Sequence, residues 1–465
     1  MCANNFKINF VDGGVCAIRG VKTAGFREGK YGISIISFKN SDATGVFTSN
    51  KIKAAPVLST RETLKNGKLS AIVANSGNAN CFTGLDGETD CKDMINLVAD
   101  ELNISSNEIA IASTGVIGRR LPMEIMAKLI KKTANNLDDG LSSSTNAAKA
   151  IMTTDTVHKE AAIEVQLENG DKFRIGGICK GTGMISPNMG TMLCFITTDI
   201  IANSDYLNKA LKKAVDDSFN MVVVDGDEST NDEVILIANG SSNLDVNVNE
   251  INEAFQKGLT VLCKNLGKKM AFDGEGASKF LEVEVINAGS EKDAKLASKS
   301  VVKSALVKSA VFGEDPNWGR IVAAIGYSGA DFNPKKISIA IGSDDINIDD
   351  FDLININNIN NNHNINNNHN INNINNGSKN INFNNNSINN SINNSINDNE
   401  NLIYLVKNGN VLGFEGTKSL KNAEKAMKKK YIYVLVDLSN GNHTATAYGC
   451  DLTYDYVKIN ADYTT

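Results

Sequence analysis

The sequence predicts an α/β protein built in layers. Segments of strand-like and helix-like periodicity alternate along the chain. Apolar residues make up 42% of its 465 positions, with only five prolines and no long repeat. That apolar fraction supports a real core, and the length suits two ordinary domains or one large layered one. The missing repeat argues against a solenoid. Alternation favours layers and leaves strand order open.

The elements follow in order. Ala71-Ile-Val-Ala-Asn-Ser76 reads as a buried strand ending in a loop at 77–80. Ile125, Met126, Leu129, Ile130 and Ala134 recur at helical spacing within 122–137. Strands fit 173–179 and 191–198. Ser204 serves as the expected N-cap of a helix burying Leu207, Leu211, Ala214 and Val215. A strand at 221–225 precedes a helix from about Asn249 that presents Ile251, Phe255, Leu262 and Leu266. Strands follow at 280–286 and 431–438. Residues 345–400 turn abruptly to asparagine and isoleucine with almost no charge, too little apolar surface to offset ordering entropy. The stretch reads as a low-complexity surface insertion. The alternatives are a prion-like assembly element or metal binding by His363 and His369.

Composition narrows the function. A net charge of −6 argues against a broad basic surface for nucleic acid. The first residues lack a charged-then-apolar leader and no run is long enough for a bilayer, so a cytoplasmic protein is expected. The eight cysteines show no CxxC or zinc-like spacing, and Cys179 and Cys194 read as buried free thiols. Only His158 and His443 lie outside the asparagine tract, which leaves little for a Ser-His-Asp or Cys-His arrangement. Nucleophilic catalysis would need another base.

Gly190-Thr191 offers one. Cutting that peptide bond gives Thr191 a hydroxyl nucleophile and a new α-amine with an unperturbed pKa of about 7.7–8. A Gly-Thr pair is also an ordinary turn entering a strand. The Gly-rich approach with Pro187 could hold strained backbone, and the following strand could make a rigid platform. Ile111-Ala-Ser-Thr-Gly-Val-Ile-Gly118 could aim an amide and a hydroxyl at one oxygen, or simply cap a helix. Thr153 or Thr154 could bind a polar substrate, or sit in a turn. Asp225-Gly-Asp-Glu-Ser-Thr-Asn-Asp232 could hold a cation but lacks calcium-loop spacing, so a solvated turn is expected. Glu275 stands between Gly274 and Gly276, which lets a carboxylate approach an ammonium closely. Asp315-Pro-Asn-Trp-Gly-Arg320 reads as a rigid corner.

Taken together and in order, these stretches resemble the ornithine acetyltransferase (ArgJ) family. The resemblance rests on Gly13-Gly-Val15, Gly45-Val-Phe-Thr-Ser-Asn50, Ala74-Asn-Ser-Gly-Asn-Ala-Asn80, Ala112-Ser-Thr-Gly-Val-Ile-Gly118 and Ala150-Ile-Met-Thr-Thr-Asp-Thr156. It continues through Lys180-Gly181 to Leu193, Val224-Asp-Gly-Asp227, Ser229-Thr-Asn-Asp232, Asp273-Gly-Glu-Gly-Ala277 and Asp315 to Arg320. Gly326-Tyr-Ser-Gly329, Ala447-Tyr-Gly-Cys-Asp-Leu-Thr453 and Tyr456 to Ala461 complete it, leaving only the asparagine tract uncovered.

The resemblance implies an α-β-β-α-type sandwich cut into an α chain, 1–190, and a β chain, 191–465, assembled as α₂β₂. It matches Thr191 to the nucleophile and Thr114 and Gly115 to the oxyanion hole. Thr154, Lys180, Glu275, Asn460, Thr465 and Thr191 match substrate-contact positions. Gly190 stands where the family more often has alanine. The implied reaction moves acetyl from N²-acetylornithine to glutamate without metal or cofactor, with or without acetyl-CoA as a second donor. The rivals are a self-processing amidohydrolase or aminopeptidase on a related scaffold, and a non-catalytic assembly protein driven by the asparagine tract.

Overall fold

The computed structural model describes residues 6–186, 192–352 and 402–462. The expected nucleophile Thr191, its cleavage partner Gly190, and Thr465 lie outside the described residues, as do His363 and His369.

A nine-stranded mixed sheet contains β1 (Phe6–Val11), β2 (Lys22–Glu28), β3 (Tyr31–Phe47), β4 (Lys68–Ser76), β5 (Ile109–Ser113), β6 (Lys159–Leu167), β7 (Lys172–Lys180), β8 (Leu193–Thr198) and β10 (Glu233–Ala238). Its order is β1-β6-β7-β8-β10-β3-β4-β5, with β2 paired to β3. β4–β5 and β8–β10 run parallel. A seven-stranded sheet contains β9 (Val222–Val223), β11 (Phe280–Ala288), β12 (Ser338–Asp344), β13 (Ile403–Lys407), β14 (Asn410–Val411), β15 (Tyr431–Asp437) and β16 (His443–Cys450). Its order is β14-β13-β12-β15-β11-β16-β9.

β8 is apolar on both sides because both sides are covered. Cys194 and Ile196 join one core cluster, while Leu193 and Phe195 join another. Helices α1 (Ala55–Thr63), α2 (Gly84–Leu102) and α3 (Met123–Ala134) pack about the β3–β5 end, where α3 buries Met126, Leu129 and Ile130 as its periodicity predicts. α4 (Leu141–Ala150) covers one face with Ala147 and Ala148. On the other lie α5 (Ser204–Asp216) and α6 (Asn249–Phe272).

α6 touches both sheets. A Cβ at Gly258 would approach Val165, Ile163 and Ile175 within 3.3 Å, whereas Lys268 reaches Glu282 of β11 at 3.0 Å. The far face of the second sheet, with Leu281, Val283 and Val285, packs on α7 (Glu291–Lys303), α8 (Ala305–Phe312) and α9 (Trp318–Gly326). The expected layered α/β sandwich is what forms, and α6 adds a helical layer between its sheets. Two further helices, α10 (Lys418–Ala426) and α11 (Tyr454–Asp462), come from the C-terminal part. No helix among the described residues is long and apolar enough to cross a membrane.

Three expectations need correcting. The N-cap of α5 is Asn203, whose side-chain oxygen accepts from Tyr206 N at 2.9 Å, so Ser204 is already the first helical residue. The strand expected at 221–225 shortens to Val222–Val223, because the chain turns at Asp225 to fasten the site. Residues 345–352 belong to the fold rather than to the insertion. Phe351 is buried with its ring 5.1 Å from that of Phe280, and Asp352 pairs with Lys269 at 3.0 Å.

Candidate active site

Six of the expected positions line one cavity of about 130 Å³: Thr114, Gly115, Thr154, Lys180, Glu275 and Asn460. They arrive from five separate segments. That volume is well below the roughly 300–1,000 Å³ of drug-sized pockets, which suits a small polar substrate. Two roomier hollows, of about 540 and 570 Å³, include none of these six residues.

Thr114 and Gly115 follow β5. Thr114 N donates to Asn75 O at 3.0 Å, which continues the β4–β5 pairing into the loop. Gly115 has φ +134, and a Cβ there would lie 2.3 Å from the Gly77 carbonyl carbon. Only glycine lets the two loops approach this closely. The side-chain amide of Asn231 donates to Ala79 O at 2.7 Å and to Ser113 O at 2.9 Å, which fixes the loop from behind.

Lys180 ends β7 with its side chain nearly buried. Its Nζ donates to Thr153 Oγ1 at 2.8 Å and lies 3.7 Å from Asp155. Burial alone would raise the Asp155 carboxyl; Lys180 and Lys159 override it and hold that group well below the usual carboxylate range. Lys159, buried between Asp155 at 2.7 Å and Asp273 at 2.6 Å, keeps its proton more tightly than usual despite its burial. This buried triad ties the Thr153–Thr154 loop to the start of the Glu275 loop.

The Glu275 carboxylate accepts from Thr154 Oγ1 at 2.6 Å and from Asn460 Nδ2 at 2.9 Å. Thr182 Oγ1 lies 2.8 Å from Thr154 Oγ1. The glycine expected to free Glu275 for a ligand has a second use. Gly276, at φ +65, leaves room for α11, since a Cβ there would sit 2.4 Å from Tyr456 N. α11 thereby delivers Asn460.

Both ends of the stretch that carries Gly190 and Thr191 are fastened by carboxylates. Asp225 accepts from Met184 N at 2.6 Å and from Ile185 N at 3.0 Å, with Met184 held at φ +55. Such a conformation is costly for methionine and persists where neighbours impose it. On the far side, Asp232 accepts from Met192 N at 2.8 Å.

The 225–232 segment keeps the expected solvated turn only in its first half, where Asp227 and Glu228 are exposed; its second half turns inward. Ser229, Thr230, Asn231 and Asp232 are buried, and the first three line the cavity. Asp155, Asn231 and Asp232 stood in the sequence only as members of longer motifs, with no role in the site assigned to any of them. Their signal was only a polar run within an otherwise apolar neighbourhood.

The other readings also resolve. Thr153 and Thr154 both line the cavity. Trp318 Nε1 donates to Gly413 O at 2.7 Å and Asn317 caps α9, so 315–320 is the expected corner. The seven described cysteines are free and buried, and burial pushes the Cys179 thiol up to about 12. His158 sits beside Glu160 at 3.6 Å, and neither it nor His443 lines the cavity. Among the described residues one acidic trio, Asp216, Asp217 and Glu291, could gather round a cation, but the Lys295 ammonium already pairs with all three.

Known proteins similar to this chain include two close in length to it. A glutamate N-acetyltransferase of Methanothermobacter thermautotrophicus is 46% identical over 459 residues, covering 99% of each chain. One from Methanocaldococcus jannaschii is 47% identical, covering 98% of this chain and 99% of its own. A crystallised ornithine acetyltransferase from Mycobacterium tuberculosis, complexed with ornithine, is 33% identical across 39% of this chain and 98% of its own, with a TM-score of 0.36. The ArgJ family model matches residues 19–371 and 373–465, and the chain belongs to the ArgJ family.

Proposed function

We propose that the chain is a glutamate N-acetyltransferase that cuts itself at Gly190-Thr191 and moves acetyl from N²-acetylornithine to L-glutamate. The observation that carries this reading is the convergence of Thr114, Gly115, Thr154, Lys180, Glu275 and Asn460 on one small cavity. Membership of the ArgJ family and full-length relatives named for this activity support it.

In this reading the new α-amine of Thr191 takes the proton of its own hydroxyl, which attacks the acetyl carbonyl. The Thr114 hydroxyl and Gly115 amide receive the developing oxyanion. Ornithine leaves, and glutamate collects the acetyl group from the threonine ester. Glu275, held by Thr154 and Asn460, would bind a substrate ammonium, and Lys180 an α-carboxylate. Both substrates share a small amino-acid frame, so one cavity can serve both halves. Thr465 would contact substrate, the two fragments would stay associated as α₂β₂, and no metal or cofactor takes part.

Thr191→Ala is the direct test. Mass spectrometry should find that variant uncut and acetyl transfer absent, with Thr191→Ser keeping some of each. Normal transfer by an unbroken alanine variant would reject the reading. Measuring acetylglutamate formation against acetate release separates it from a hydrolase on the same scaffold.

A further inference from the structure

Before the chain is cut, residue 191 has no α-amine, so the base of the transfer reaction does not yet exist. The Thr191 hydroxyl must lose its proton to another group in that first event. Most ionisable groups that line the cavity or fasten the two ends of the stretch carrying this bond are already engaged. Both oxygens of Asp225 are engaged by the Met184 and Ile185 amides, and both of Glu275 by Thr154 and Asn460. Lys180 donates to Thr153 and stands close to Asp155.

Asp232 differs from all of these. Its side chain is fully buried, one oxygen accepts from Met192 N at 2.8 Å, and Oδ2 has no hydrogen-bond partner among the described residues. Met192 is joined to Thr191 by a single peptide bond. The neighbouring Glu233 is also buried and unpartnered among the described residues, but it opens β10 opposite Leu193, one residue further from the cut.

We propose that Asp232 is the general base of self-cleavage, its free oxygen taking the proton of the Thr191 hydroxyl as that oxygen attacks the Gly190 carbonyl carbon. The new C–O bond forms while the carbonyl pair moves onto its oxygen. The pair then returns, the Gly190-Thr191 C–N bond breaks, and the leaving nitrogen takes the proton held by Asp232. The product is an ester between Gly190 and the threonine oxygen. Solvent water hydrolyses it to the Gly190 carboxylate and a Thr191 with free hydroxyl and α-amine.

Burial pushes the Asp232 carboxyl well above its ordinary range, and the Met192 amide, Ser229 and Lys180 offset this only in part. A carboxylate of raised proton affinity is the stronger base. Glu228 and Glu233 are the other acids acting on it, and Lys180 is the cation. The inference rests on the self-cleavage reading above.

The test is mass spectrometry of full-length chains for fragments 1–190 and 191–465. Asp232→Asn should slow cleavage by about 10²-fold or more, in line with loss of a general base. It should also melt close to Thr191→Ala, which serves as the uncut reference. Glu233→Gln should cut as the wild type does. Cleavage of Asp232→Asn at the wild-type rate, with the wild type cut and Thr191→Ala whole, removes this inference alone. A wild-type chain that stays whole removes the earlier reading along with it. Should Asp232→Asn fail to fold, freshly translated wild type decides. A cleavage rate rising through one deprotonation above the ordinary carboxylate value of about 4 supports the base. A rate flat from about pH 5 to about pH 9 overturns it.

Discussion

Asn231 donates its side-chain amide to the carbonyl of Ser113 at 2.9 Å, one residue before Thr114. The same amide reaches Ala79 O at 2.7 Å. One buried side chain thus locks the 229–232 segment, which borders the cavity, to both loops that shape the Thr114–Gly115 corner. Asn231→Ala would leave two buried carbonyls without a donor. Thermal or denaturant unfolding should record a loss of about 1–3 kcal/mol per orphaned group, and kcat should fall with it.

Thr114→Ala removes a donor aimed at the developing oxyanion while leaving the backbone path intact. Steady-state kinetics should find kcat lower by about 10²–10³-fold with KM little changed. Thr114→Ser should retain most of the rate. Equal activity in all three proteins would take Thr114 out of the oxyanion hole.

Lys159→Met should be among the most destabilising single changes. It strips the cation from Asp155 and Asp273 in a buried setting, at a cost of about 3–5 kcal/mol. The pH dependence has a definite sign. Asp155 is held below its unfolded value of about 3.9, so its stabilising contribution is full above about pH 4. It is lost only as the pH falls further, through the depressed folded value. Urea melts of the wild type from pH 7 down to strong acid should follow this slope, and Lys159→Met should flatten it.

Asp199 titrates with the opposite sign. Burial raises its carboxyl to about 6, with the Arg174 amide pulling back at 2.8 Å. The folded state therefore holds a proton that the unfolded chain has released, and stability falls as the pH rises from about 4 to about 6. Asp199→Asn keeps an acceptor for Arg174 N and removes that penalty. It should gain up to about 2 kcal/mol at pH 7 and little below pH 4.

Replacing residues 353–401 by a short Gly/Ser linker should leave melting temperature, cleavage and acetyl transfer close to wild type. Starting the same deletion at residue 345 also removes Phe351 and Ile346 from the core and Asp352 from Lys269. Loss of the phenylalanine alone should cost about 3–5 kcal/mol. Two deletions with equal melting temperatures would show that 345–352 contributes nothing.

The sequence alone determined the layered α/β class, the run of α3 and α6, and the central strands β4, β7, β11 and β15, because these depend on local periodicity and continuous apolar runs. It also picked out Thr114, Gly115, Thr154, Lys180, Glu275 and Asn460, through motifs whose order along the chain is distinctive. Tertiary structure alone decided that these six meet. Residues 114 and 460 share a cavity because Gly276 admits α11 against the Glu275 loop, a long-range contact that no local pattern encodes. It likewise turned Ser229 to Asp232 of the polar 225–232 run inward, since Asp225, Asn231 and Asp232 find backbone donors and acceptors only after distant strands have paired. Burial of a carboxylate is a property of what surrounds it, and those surroundings are assembled by the fold.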